Sequence, residues 1–180
     1  MKHNLDDTIS LLGRAPSVLN VLLRDQPEIW TRRNEGGNAW TPVDVIGHLI
    51  SGERTDWIPR VKIILEHGPA RTFEPFDMQG HVREIEGKSL AQLLDEFARM
   101  RSISLSALRA MNLSEDDLAR RGRHPALGEV TMSQLLASWP VHDLTHLHQL
   151  SRIMAHQYRE AVGPWVEYMG VLQCDGHGSR

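Results

Sequence analysis

Three hydroxyl residues mark the starts of helices in this chain, and their placement decides most of what it can fold into. Thr41 offers a capping hydroxyl, with Pro42 at the first helical position and Asp44 in the first turn. Ser89-Leu90-Ala91-Gln92 and Thr131-Met132-Ser133-Gln134 are capping boxes, in which the hydroxyl and the Gln side chain each take up an end of the backbone the helix cannot satisfy itself. Apolar residues at helical spacing follow each start, whereas the alternation of a half-buried strand is sparse. The pattern predicts an all-α protein.

Four main helices follow from the periodicity. The first spans about 5–24, with a stripe of Leu5, Ile9, Leu12, Leu19, Leu22 and Leu23, and Pro16 inside it should kink or split it. The second runs from Thr41 through about 66 and stops at His67-Gly68-Pro69, with a further kink expected at Pro59. The third covers about 90–111 and the fourth about 132–156. Residues 26–39 form a connection broken by Pro27, Gly36 and Gly37, and 68–87 a long one that crosses the bundle. Ser114 starts a short turn, 121–130 is a loop or small hairpin, and a last helical segment spans about 164–172. A single domain over 1–180 is expected, with residues 171–180 as a flexible tail.

Bulk properties narrow the function. Net charge is −3 with the histidines neutral, so the chain lacks the basic footprint of a nucleic-acid or anionic-lipid binder, and Arg120, Arg121 and Arg123 read as a solvated surface. One cysteine, Cys174, excludes an internal disulfide framework and the Cys-based zinc signatures. The first residues lack a signal peptide's apolar core, and no run is apolar enough to span a bilayer. A cytoplasmic location with no membrane partner is the expectation.

The chemistry is concentrated in histidines. His142 and His146 stand four apart and share one helical face with Gln149 and Ile153. His148 is turned roughly 200° from His146 and leaves that face. His48 lies in a similarly apolar stretch, Val43-Asp44-Val45-Ile46-Gly47-His48-Leu49-Ile50, on a helix able to oppose it. Three imidazoles with a vacant coordination position make a catalytic rather than a structural metal site, and imidazole suits Zn, Cu, Fe and Ni alike. Asp143, Asp44 and Glu53 are the candidate bases, and Gln149 and Asp143 are the candidates for orienting the ligands from behind. His-Glu-x-x-His is absent, as are the Walker A, Rossmann and Gly-x-Ser-x-Gly motifs.

Trp40-Thr41-Pro42 followed by His48, and then His142-x-x-x-His146-x-x-Gln149, resembles the DinB-like superfamily of DNA-damage-inducible bundle proteins over roughly 5–160. The resemblance implies an up-up-down-down four-helix bundle that holds a divalent ion, usually nickel or zinc, on His48, His142 and His146. It also implies metal-dependent transfer of a low-molecular-weight thiol to a small-molecule electrophile, as in bacillithiol S-transferases and mycothiol-dependent maleylpyruvate isomerase. Some members are homodimers. Pro140 and His148 depart from the family pattern without removing a ligand. A metal-dependent hydrolase and a non-catalytic metal-binding stress-response module are the alternatives.

Overall fold

The computed structural model describes residues 2–174, and its helices begin where the capping hydroxyls stand. Helix α1 spans Leu5–Leu23, α2 Glu28–Thr31, α3 Pro42–Thr55, α4 Trp57–His67, α5 Gly80–Ile85, α6 Leu90–Ala110 and α7 Glu115–Ala119. A hairpin of β1 (Arg121–His124) and β2 (Gly128–Thr131) leads into α8 (Met132–His156), and a 3-10 turn at Gly163–Tyr168 precedes α9 (Gly170–Gln173). Thr41, Ser89 and Thr131 each form the complete reciprocal capping box. Of the expected flexible tail, Val171 to Gln173 are helical with Leu172 buried, and 175–180 lie outside the described residues.

The two prolines expected to bend helices act differently. Pro16 leaves α1 unbroken. Pro59 has no N–H for the carbonyl of Thr55 four residues earlier, and the chain divides there: α3 ends at Thr55 and α4 starts at Trp57. Asp56 occupies the break, with φ −108° and ψ −68°.

The long helices form an all-α four-helix bundle. Arg24 at the end of α1 meets Asp95 near the start of α6, and the Leu12 carbonyl meets Arg101, so α1 and α6 are antiparallel. His3 beside the start of α1 reaches Ser133 at the start of α8, which makes that pair parallel. Glu53 meets Trp139 while His48 meets His142, so α3 opposes α8. In chain order the directions are therefore up, down, down, up, two helices each way but starting one helix earlier in the cycle than up-up-down-down. The reason is length: a parallel neighbour requires the chain to travel back along the bundle, and the connection between α4 and α6 is the one that does so.

Two apolar clusters fill the bundle. One joins Leu19, Leu23, Ile46, Phe97 and Leu150, and the other Leu12, Val61, Leu108, Leu136 and Trp139. Between them lies a polar layer of Arg101, Glu53 and Asp143, all buried. Helix α5 clamps the outside of α3 through two glycines. A Cβ on Gly47 would lie 2.5 Å from Ile85 Cγ2 and 3.0 Å from the His81 carbonyl, and one on Gly80 would collide with the Ser51 hydroxyl. Among the described residues, no helix is long and apolar enough to cross a membrane.

Candidate metal centre

Helix α3 delivers His48 and α8 delivers His142 and His146, the last two one turn apart on one face. Their ligand nitrogens all lie within 4.8 Å of one another. His142 Nε2 stands 3.1 Å from His48 Nε2 and 3.0 Å from His146 Nε2. Tetrahedral nitrogen-metal bonds of about 2.0–2.1 Å place ligand nitrogens about 3.3 Å apart, close to this spacing. The donor set thus fits a divalent cation with three nitrogens.

The imidazoles are prepared as neutral ligands. Burial, reinforced by the neighbouring His146 and His81, lowers the pKa of His48 to about 3. Burial, then His146, His48 and the Arg101 guanidinium, lowers His142 to about 2. Burial lowers His146 as well. The hydrogen bond of 2.8 Å between His146 Nδ1 and Gln149 Oε1 makes Nδ1 the protonated nitrogen and turns the Nε2 lone pair inward. Gln149 thus meets His146 at the ring nitrogen not turned toward His142. His142 Nδ1 is buried without a partner among the described residues.

A cavity of about 300 Å³ opens over these nitrogens. Trp40 packs at 4.8 Å from the His48 ring, Phe76 stands edge-on to it at 5.0 Å, and Trp57 stands edge-on to His142 at 5.3 Å. Asp56, Thr145, His148 and Arg152 supply its polar wall. His148 is exposed at the rim and does not join the three convergent imidazoles.

The carboxylates anticipated as bases are engaged elsewhere. Asp44 closes the cap of α3, accepting from the Thr41 backbone N–H at 2.8 Å and the Thr41 hydroxyl at 2.7 Å. Asp143, although next to His142, points into the bundle and takes two hydrogen bonds from Arg101, of 2.6 and 3.0 Å. Glu53 accepts from Arg101 Nε at 2.8 Å and from the Trp139 indole at 3.2 Å. None of the three lines the cavity. Burial pushes the Glu53 carboxyl up, against the pull of Arg101.

Two cavity residues escape a reading by spacing alone. Asp56 stands in a helix break that Pro59 signals only indirectly, and it pairs with Arg60 at 2.5 Å. Burial raises its carboxyl to about 6 despite that partner. Arg152 reaches the cavity while Glu35, from the 24–41 connection, holds its Nε and Nη2 at 2.6 and 2.7 Å. A separation of 117 residues hides the second pair from a reading of the sequence.

Comparison with known proteins points in one direction. A family model described as the DinB superfamily matches residues 11–150, which include all three histidines. Among solved structures, YfiT from Bacillus subtilis aligns with a TM-score of 0.70 at 18% identity, over 87% of each chain. That protein is described as a probable metal-dependent hydrolase with an unusual four-helix bundle topology. No curated protein matches the chain.

Proposed function

The chain belongs to the DinB superfamily, and from that premise we propose that it is a metal-dependent enzyme that joins a thiol nucleophile to a small electrophilic molecule. The observation that carries this reading is the convergence of three neutral imidazole nitrogens beneath an aromatic-walled cavity. His48, His142 and His146 would hold the ion, with zinc and nickel the metals that the family resemblance implies and that imidazole can take. A divalent ion bound there lowers the pKa of a thiol or a water that reaches it, which keeps the nucleophile ionised near neutral pH.

The remaining work falls to the protein's own side chains. Gln149 holds the tautomer of His146. Trp40, Phe76 and Trp57 exclude water and give an apolar substrate its surface. Arg152 and His148 place positive and polar groups at one side of the opening. A small-molecule partner fits a cavity of about 300 Å³.

A hydrolytic version of the same centre is the second reading. It is favoured by the Asp56 carboxylate in the cavity wall and by the description of YfiT. The test is elemental analysis of the purified protein, followed by assays with a panel of thiols against chlorodinitrobenzene and with p-nitrophenyl esters. About one metal per chain and turnover with a thiol are expected. Turnover of esters alone would favour hydrolysis. Bound metal with no turnover of either kind would reduce the centre to a non-catalytic role.

A further inference from the structure

Arg152 is the one arginine or lysine among the described residues that line the metal cavity, and it is only 8% exposed. Glu35 takes its Nε and Nη2 edge in two hydrogen bonds, of 2.6 and 2.7 Å. Nη1, which carries two N–H donors, has no partner among the described residues. A planar guanidinium gripped along one edge has little freedom to turn, so its free end is held in place. Donors of a buried cation cost free energy until an acceptor meets them, and what enters the cavity can supply one.

Helix α8 sets where that acceptor sits. Thr145, His148 and Arg152 recur at spacings of three and four and form one polar side of the cavity. The Thr145 hydroxyl donates to the Val141 carbonyl at 2.9 Å, so it offers the cavity an acceptor only. Gln149, one turn before Arg152, bonds His146, which ties this stretch of helix to the metal-binding histidines. Arg152 follows His146 by six residues, about 9 Å along the axis. Helical side chains lean toward the N-terminus, and a long arginine can recover up to about one turn, ~5.4 Å, of that rise. The free Nη1 therefore stands roughly 4–9 Å along α8 from the histidine nitrogens. The wall between these ends is aromatic, with Trp40 and Phe76 against His48 and Trp57 against His142.

We propose that Arg152 determines specificity: its Nη1 takes the carboxylate of a small organic acid whose reacting end lies over the histidines. The reacting end rests on the metal-enzyme reading above, whereas the anchor rests on the guanidinium alone. An acid of about the size of a benzoate fits both the interval along α8 and a cavity of about 300 Å³. A charge-assisted hydrogen bond favours the acid over a neutral amide of the same shape. Glu35 already lies against the guanidinium, so the site suits a single negative charge better than a phosphate dianion.

The test compares 4-nitrobenzoate with 4-nitrobenzamide, which share a shape and differ in charge, by quenching of tryptophan fluorescence in the full chain. Trp40 and Trp57 line the cavity and report its occupation. Wild type should bind the benzoate about five-fold or more tighter, and Arg152→Met should bind the two equally. If Arg152→Met fails to fold because Glu35 is stranded, Arg152→Met combined with Glu35→Gln removes both charges and gives the same reading. Equal affinities in wild type, or a preference that survives in either variant, overturn the proposal. Cobalt(II) uptake is measured on the same samples. No uptake removes the metal reading while the quenching still decides the anchor, and normal uptake with equal affinities removes the anchor alone. Turnover by the zinc-loaded protein then locates the carboxylate. A lower KM for 4-chloro-3-nitrobenzoate than for its amide, with 2-mercaptoethanol, places it on the electrophile. A lower KM for 4-mercaptobutanoate than for 4-mercaptobutanol, with chlorodinitrobenzene, places it on the thiol. Turnover with no difference in either pair overturns the assignment of the anchor to a substrate.

Discussion

Arg101 donates to the backbone carbonyl of Leu12 at 2.9 Å, the very carbonyl that Pro16 leaves without a helical donor. A proline inside a helix costs one backbone hydrogen bond. Here the orphaned acceptor faces the bundle axis, and a buried guanidinium just past the middle of the facing helix satisfies it. The same guanidinium binds Asp143 and Glu53, so one side chain ties α1, α3, α6 and α8 at the level of the metal centre.

Arg101→Met should be severely destabilising. The substitution strands two buried carboxylates and the Leu12 carbonyl, and removal of one partner from a buried ionic cluster costs about 3–5 kcal/mol. Chemical denaturation measures the loss. Adding Glu53→Gln and Asp143→Asn to Arg101→Met should recover part of it, because the stranded charges are then gone. No recovery would show that the arginine acts through packing instead.

Metal content should follow the geometry of α8. His142→Ala should lower bound metal to below about one tenth per chain, whereas His148→Ala, at the rim, should leave it unchanged. Gln149→Leu removes the acceptor that holds the His146 tautomer and should weaken metal affinity about 10–100-fold with the fold intact. Competition with a chromogenic chelator provides the measurement. Equal affinities in wild type and Gln149→Leu would assign Gln149 to packing alone.

Local signals carried the helices, and long-range ones were out of reach. Thr41, Ser89 and Thr131 lie within four residues of everything that caps them, so their sequence neighbourhood contains the whole interaction. His142, His146 and Gln149 share a face by helical period alone, and His148 leaves it by the same rule. Asp44 lies one turn before His48, a spacing that suits a carboxylate behind a histidine, but the Thr41 cap three residues earlier takes it up. Asp143 is adjacent to His142 in sequence, yet the helix turns it about 100° away, toward an arginine 42 residues distant. Arg101 and Arg152 depend on partners that only the folded bundle brings together. The order of helix directions likewise depends on which connection spans the bundle.

Gly47 should tolerate no side chain larger than a methyl, and even that poorly. It packs α3 against α5, where an added Cβ meets Ile85 and the His81 backbone. Gly47→Val should displace α5, loosen the Trp40 wall that packs at 4.9 Å against His81, and destabilise the protein by about 1–3 kcal/mol. Thermal melting and the fluorescence of Trp40 report the two effects. A melting temperature equal to that of wild type would show that α5 is not clamped to α3 in solution.

Acid should destabilise the metal-free protein through the histidines. His48 and His142 titrate at about 3 and about 2 in the folded chain, against 6.5 when unfolded. Between these values the unfolded chain binds more protons, so stability rises with pH and is lost as pH falls below about 6.5. Asp56 opposes this in a narrower window: its folded carboxyl titrates at about 6 against 3.8, so its contribution declines as pH rises through that range. The histidines outnumber it, and acidification from pH 7 to pH 4 should lower the melting temperature. His142→Leu deletes one of the depressed groups and should flatten the profile by up to about 1.4 kcal/mol per pH unit between roughly pH 3 and 6. Bound metal should steepen the wild-type loss further, because protons then compete with the ion for the same nitrogens. Denaturant midpoints across this pH range, with and without chelator, separate the contributions. A His142→Leu profile parallel to that of wild type would mean that His142 is charged or exposed in solution, contrary to its buried Nδ1.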